Sequence, residues 1–175
     1  MADSRPMSDT ATPSTTTAAD GPATSLTVSP ELTIRITLAP PQMIGAVPLG
    51  VRVVGGVATG TVAGARINGT IVGPGADWML IGADGYGRVD VRLQIETDDG
   101  ALVYVRYEGL LELNEASSAA LLDPTRETSW EEQYFRTTPR FETADERYAW
   151  LNRTVFVARG RVRADGIEYE VFRVD

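Results

Sequence analysis

The stretch Arg88-Val89-Asp90-Val91-Arg92-Leu93-Gln94-Ile95-Glu96-Thr97-Asp98-Asp99-Gly100-Ala101-Leu102-Val103-Tyr104-Val105-Arg106-Tyr107-Glu108 decides how this chain folds. On both sides of Asp98-Asp99-Gly100, apolar and polar residues alternate with period two, the pattern of a half-buried strand. The loop length determines which residues oppose each other. A two-residue turn would set Ile95 opposite Tyr104 and Leu93 opposite Arg106, mixing the two faces. A three-residue loop with Gly100 in the left-handed conformation sets Ile95 opposite Val103 and Leu93 opposite Val105, so the longer loop is predicted. The other face then carries Asp90 opposite Glu108 and Arg92 opposite Arg106. Like charges opposed in this way are unfavourable, and the diagonals Asp90–Arg106 and Arg92–Glu108 are the expected compensation.

Working outward, residues 32–38 alternate in the same way, with Leu32, Ile34, Ile36 and Leu38 on one face, until Pro40-Pro41 ends the run. Further strands are predicted at about 52–57, 59–62, 66–71, 78–81, 102–113, 153–163 and 167–174. Glycines cluster from Gly45 to Gly87, as tight turns and bends require. Many short strands with turn residues between them indicate an all-β fold. A closed antiparallel barrel is preferred to a sandwich because closure removes exposed edges. Asp165-Gly166 fits a two-residue hairpin turn, pairing Arg163 with Glu168 and Arg161 with Glu170, with Val162 opposite Tyr169. That reads as a solvated outer face. One short helix is expected over 144–151, from the capping box Thr143-x-x-Glu146. The segment 116–133 reads as an acidic surface loop with room for a short helix. Residues 1–30 hold twelve Ser or Thr, five Ala and four Pro and no aromatic residue. Such a segment cannot bury enough apolar surface to offset its ordering entropy, so a disordered tail is expected ahead of one barrel domain at 31–175.

Composition narrows the chemistry. The chain has 175 residues, a net charge of −8, no histidine and no cysteine, and its sixteen basic residues are all arginine. Disulfides, thiol catalysis, His-based triads, Schiff bases and ordinary zinc sites are thereby excluded. No metal or cofactor is expected. An acidic chain without a basic stretch argues against nucleic acid as partner. No apolar run reaches membrane-spanning length, and a secretory leader is not evident, so a cytoplasmic protein without membrane contact is expected. What remains for proton transfer is Asp, Glu and Tyr, with Arg to hold anions.

Three clusters could carry such chemistry. In Ala76-Asp77-Trp78, which follows an expected turn at Gly73-Pro74-Gly75, an acid beside an indole can sit in apolar surroundings that raise its pKa. The plainer reading makes Trp78 core and Asp77 a turn cap. Asp90-x-Arg92, with Tyr104 and Arg106 on the neighbouring strand, forms a charged face that either lines the lumen or meets solvent. The stretch from Tyr134-Phe135-Arg136 through Pro139-Arg140-Phe141-Glu142 to Tyr148-Ala149-Trp150-Leu151-Asn152 offers aromatic walls with few polar groups, as a small-molecule pocket needs. It could equally plug one end of the barrel.

These motifs, together with Gly75-Ala76-Asp77-Trp78, Asp84-Gly85 and Thr97-Asp98-Asp99-Gly100, occur in an order that resembles the bacterial family grouped as "domain of unknown function 3237". The resemblance spans residues 31–175, with 113–133 departing from the family's pattern. It implies a closed barrel similar to that of allene oxide cyclase, commonly assembled into homo-oligomers. The expected function is a cofactor-independent isomerase, cyclase or lyase acting on a small carbonyl-containing or polyketide-like metabolite in the lumen. In that reading Asp90 or Glu142 is general base, Tyr134 or Tyr104 general acid, and Arg92 and Arg136 hold enolate charge. Asp77, Trp78, Arg106, Trp150 and Asn152 complete the substrate-binding set. The alternative is the same barrel as a non-catalytic small-molecule binder or an oligomeric scaffold.

Overall fold

The computed structural model describes residues 25–175. The expected tail falls mostly on residues 1–24, which lie outside the described residues. Eleven strands follow in order: β1 (Val28–Leu38), β2 (Gln42–Val47), β3 (Gly50–Gly64), β4 (Asn68–Asp77), β5 (Leu80–Ile81), β6 (Tyr86–Thr97), β7 (Leu102–Glu112), β8 (Phe135–Thr137), β9 (Arg140–Glu142), β10 (Phe156–Arg163) and β11 (Gly166–Val174). Helix α1 (Glu115–Leu122) lies between β7 and β8, and two 3₁₀ turns, Glu146–Tyr148 and Leu151–Arg153, lie between β9 and β10. Pairing runs β1–β3–β4–β6–β7–β8–β10–β11 and returns to β1, every pair antiparallel. The fold is therefore a closed eight-stranded barrel with one short helix. The remaining strands thicken its rims. β1 starts three residues before the expected boundary because Val28, Ser29 and Pro30 pair with Val174, Arg173 and Phe172.

The β6–β7 hairpin has the expected three-residue loop. Ile95 faces Val103, Leu93 faces Val105, Arg92 faces Arg106 and Asp90 faces Glu108, and Gly100 has φ +85°. The compensating ion pairs differ from expectation. They run along each strand, Arg92–Asp90 at 3.1 Å and Arg106–Glu108 at 2.8 Å, rather than along the diagonals.

The β10–β11 register is displaced by two residues. Arg163 faces Gly166, Arg161 faces Glu168 and Arg159 faces Glu170, so the turn is Ala164-Asp165. The faces are preserved because the displacement is even. The physical reason lies across the sheet. Gly166 packs so closely on β1 that a Cβ there would overlap the Ile36 carbonyl, so this glycine is needed as the first strand residue rather than in the turn. Gly166→Ala should therefore cost about 3 kcal/mol, the upper range for forced overpacking, measured as a drop in unfolding midpoint with an unchanged m-value.

The helix also forms elsewhere than expected. Thr143 does not open a helix. Its hydroxyl donates to the Leu102 carbonyl at 2.7 Å and accepts from the Asp145 N–H at 3.2 Å, and Asp145 caps only a 3₁₀ turn. The true helix lies in the acidic segment, where Asn114 accepts from the Ser117 N–H as N-cap at 3.0 Å.

Inside, the ring is apolar from Leu32, Ile34 and Ile36 on β1 round to Val171 and Tyr169 on β11. One end is filled by Phe141, Tyr148, Leu151 and Phe156, with Phe141 edge-on to Phe156 at 5.0 Å. The aromatic stretch after β8 is thus the plug of the barrel. The other end is left open.

Candidate functional site

The open half of the lumen holds a cavity of about 720 Å³. Its walls are apolar side chains such as Val53, Val57, Val89, Val91 and Leu111; Pro40, Pro41 and α1 stand at its mouth. The polar side chains deeper in it come from three strands: Asp77 from β4, Tyr107 from β7 and Tyr169 from β11.

Asp77 reaches the lumen because Gly73-Pro74-Gly75 is not a turn. The register of β4 against β6 shifts between Val72 and Ala76, with Gly73 at φ +67°, so the segment is a bulge and the strand continues to Asp77. Asp77 lies opposite Val91 on β6 and Gly55 on β3, and directly opposed residues share a face. Val91 is core, and a Cβ at Gly55 would touch nothing within 4 Å. The carboxyl therefore stands beside open space. Its Oδ1 accepts from the Asp90 N–H at 3.0 Å. Burial pushes its pKa up from 3.8 to about 6, against the pull of that hydrogen bond, while the Asp90 charge adds to the rise and Arg52 opposes it.

Tyr107 and Tyr169 meet edge-on at 5.2 Å, and Tyr169 meets Phe135 edge-on at 5.3 Å. Phe135 sits where Gly160 has no side chain; a Cβ there would come 2.6 Å from its ring. Burial raises both phenol pKa values; the Tyr169 hydroxyl, on the donor side of the Tyr107 oxygen, pulls Tyr107 back and is itself raised further, the nearby Asp77 charge adds to both, and both groups stay protonated.

The charged residues singled out in the sequence stand on the outside. Asp90 and Arg92 form a half-exposed ion pair, with the Arg92 guanidinium 5.6 Å from the Trp78 ring. Arg106 is exposed with Glu108. Tyr104 faces outward opposite Glu142, which is itself exposed. Tyr134 and Arg136 stack on each other outside the wall, and Arg136 donates to the Phe135 carbonyl at 2.9 Å. Trp150 lies at the plugged end under Arg66 at 3.6 Å. The Asn152 amide closes a two-bond clasp on the Thr143 backbone. The physical reason is alternation. Each of these strands already turns valine, leucine or phenylalanine inward, which sends its charges out. Asp90, Trp78, Tyr134 and Arg136 do come together, but in an open groove on the outer wall. Of the expected set, only Asp77 enters the lumen. Its Trp78 neighbour faces out, so the apolar setting comes from the valines around the carboxyl. Tyr107 and Tyr169 were not among the expected residues, although the hairpin register that turns Val103 and Val105 inward turns Tyr107 inward as well.

Among the described residues no three His, Cys, Asp or Glu side chains gather as a metal site would need. Nor, among the described residues, is any helix long and apolar enough to cross a membrane.

The sequence pattern of a family described as "Protein of unknown function (DUF3237)" matches residues 26–174. A UPF0311 protein of Bradyrhizobium diazoefficiens is 35% identical over 135 residues, covering 74% of this chain and 84% of the relative. Among solved structures, a conserved protein of unknown function from Rhodopseudomonas palustris superposes with TM-score 0.79 at 29% identity, over 87% of this chain and 100% of that one. A β-barrel-like protein from Acinetobacter baumannii gives 0.73 at 28% identity, over 90% and 100%. An enzyme from Penicillium herquei gives 0.66 at 19% identity, over 89% and 98%.

Proposed function

Since the chain belongs to the DUF3237 family, whose description carries no reaction, we propose its function from the chamber: a cofactor-independent enzyme that shifts a proton within an uncharged, mostly apolar carbonyl compound, as an isomerase, cyclase or lyase. The observation that carries this reading is the Asp77 carboxyl, held in apolar surroundings beside open space with its pKa pushed up to about 6. A carboxylate tuned toward neutrality both takes and returns protons near physiological pH. The cavity volume lies within the range of small-molecule sites, about 300–1,000 Å³. The apolar wall and the buried Asp77 carboxyl favour an uncharged compound, because the arginine on the lining, Arg163, is already held by Glu127 and Glu168. The same barrel occurs in the Penicillium herquei enzyme, which supports the fold as a vessel for catalysis and no more than that.

The test is exchange. 2-Tetralone, an uncharged aromatic ketone with acidic α-hydrogens, is incubated with the protein in D₂O and its α-deuteration followed by ¹H NMR. Exchange should exceed the buffer rate, rise through about pH 6 as Asp77 ionises, and level off above it. Binding without exchange at any pH would instead support the second reading, a binding barrel. That reading draws on the outward placement of Asp90, Arg92 and Glu142, which leaves Asp77 as the buried carboxyl that faces the ligand.

A further inference from the structure

We propose that Tyr107 is the oxyanion donor of this site: its phenolic O–H receives the carbonyl oxygen of the bound compound as Asp77 takes the neighbouring α-proton. The proposal rests on the Asp77 reading and adds the group that fixes where the oxygen sits.

Among the described residues, the buried side-chain polar atoms without a hydrogen-bond partner are Asp90 Oδ1, the Tyr107 hydroxyl, Gln133 Oε1 and Thr137 Oγ1. Asp90 is accounted for by its ion pair with Arg92. Of the other three, only Tyr107 lines the chamber; Tyr169 bears on its oxygen from the donor side, so what is left without an acceptor is the Tyr107 O–H. A buried hydroxyl left unpaired costs stability comparable to a lost hydrogen bond, and such a group calls for a reason. Here the reason is a ligand oxygen.

The donor is also fixed in place. Tyr107 is 2% exposed, its ring rests edge-on against Tyr169, and Tyr169 rests against Phe135 seated over Gly160. A donor held by packing need not reorganise when charge develops on its acceptor, which is where such groups gain most of their effect. Because burial keeps the phenol protonated, it donates throughout the pH range in which Asp77 titrates.

The chemistry balances without a further reactant. The C–H bond next to the carbonyl breaks, and its proton goes to Oδ2 of Asp77, since Oδ1 is held by the Asp90 N–H. The electron pair becomes the C=C bond of an enolate, and the negative charge settles on the oxygen that accepts from Tyr107. Return of the proton from Asp77 to a different carbon gives an isomer. The substrate class is thus an uncharged ketone, ester or lactone carrying an α-hydrogen on an apolar body.

The test uses 2-tetralone at saturation and reads its carbonyl stretch by infrared difference spectroscopy, together with α-deuteration. In the wild type the stretch should move to lower frequency on binding. Tyr107→Phe should lose that shift and slow exchange about 100-fold at saturation, with the half-saturating ketone concentration changed only a few-fold. Its melting temperature should stay close to that of the wild type, since the O–H that has gone had no acceptor. Tyr169→Phe should keep the shift. Asp77→Asn should keep the shift and lose exchange, and a wild type that shows the shift without exchange would sink the Asp77 reading alone, which separates the two proposals. A shift that survives in Tyr107→Phe, an unshifted carbonyl in the wild type, or no binding of the ketone overturns the Tyr107 assignment.

Discussion

Asp77→Asn should yield a barrel that is more stable than the wild type at neutral pH and turns over a carbonyl compound at least about 100-fold more slowly, the usual lower bound for losing a general acid–base group. The two effects share one cause. The folded protein holds the Asp77 carboxyl in surroundings that disfavour its charge, so its pKa rises from 3.8 to about 6. A pKa raised on folding means that the native state binds the proton more tightly than the unfolded chain. Stability is therefore greatest below pH 3.8 and declines as pH climbs through 6. A shift of that size corresponds to about 3 kcal/mol at pH 7 and above. Asparagine keeps the shape and can still accept from the Asp90 N–H through its carbonyl oxygen, but it carries no charge to desolvate. Denaturant unfolding should thus show Asp77→Asn gaining up to about 3 kcal/mol at pH 8 and almost nothing at pH 3.5. Equal stability at pH 8 would mean that the carboxylate is well solvated, and the argument for a tuned base would go with it. Active sites that store strain of this kind commonly trade stability for function.

How much of this was legible in the sequence depends on what alternation can and cannot say. Period-two patterns gave the strands, and the choice between a two- and a three-residue loop gave the β6–β7 register residue by residue. Alternation separates two faces but does not label either one as the lumen. The charged face of Asp90, Arg92, Arg106 and Glu108 could be placed only once the ring was seen to close around the valine face. Gly73-Pro74-Gly75 hid the site in another way. Read as a turn it ends the strand at Ile71; as a bulge it adds two residues to β4, an even number, so the strand resumes in phase and Asp77 falls on the inward side. Tyr107 and Tyr169 were available from the registers and went unused because phenols in an apolar row look like core. What marks Tyr107 as different, an O–H without an acceptor, is a three-dimensional fact. β2 was missed because Pro40-Pro41 and Gly45 read as breakers, although Gly45, at φ +98°, sits at a bulge within a real strand.

Glu168→Ala should be the most damaging single change on the outer wall, lowering stability by about 3 kcal/mol at pH 7. The β10–β11 pair looked like a ladder of solvated charges, one acid to one arginine. Instead Glu168 is a hub. From β1, Arg35 donates to its Oε1 at 3.1 and 3.0 Å. From β10, Arg161 donates to Oε2 at 2.9 and 2.6 Å and Arg163 at 3.3 Å. Its side chain is only 5% exposed, and Trp130 lies 4.7 Å from the Arg161 guanidinium. Removing the carboxylate leaves three guanidinium groups facing one another. Breaking a buried pair by deleting one partner typically costs about 3–5 kcal/mol, and the lower end applies here because Arg35 reaches solvent. The pH dependence identifies the cause. Burial alone would raise the Glu168 pKa, but the hydrogen bonds from Arg161 and Arg35 outweigh it and the net displacement is downward. A depressed pKa means stability that is present above the ordinary 4.5 and lost as pH falls below it, through the folded-state value. The gap between wild type and Glu168→Gln, which keeps the shape and removes only the charge, should accordingly be wide at pH 7 and close at strongly acid pH. A gap that stayed constant down to pH 2 would mean that Glu168 stabilises the seam between β1, β11 and β10 by packing and not by its charge.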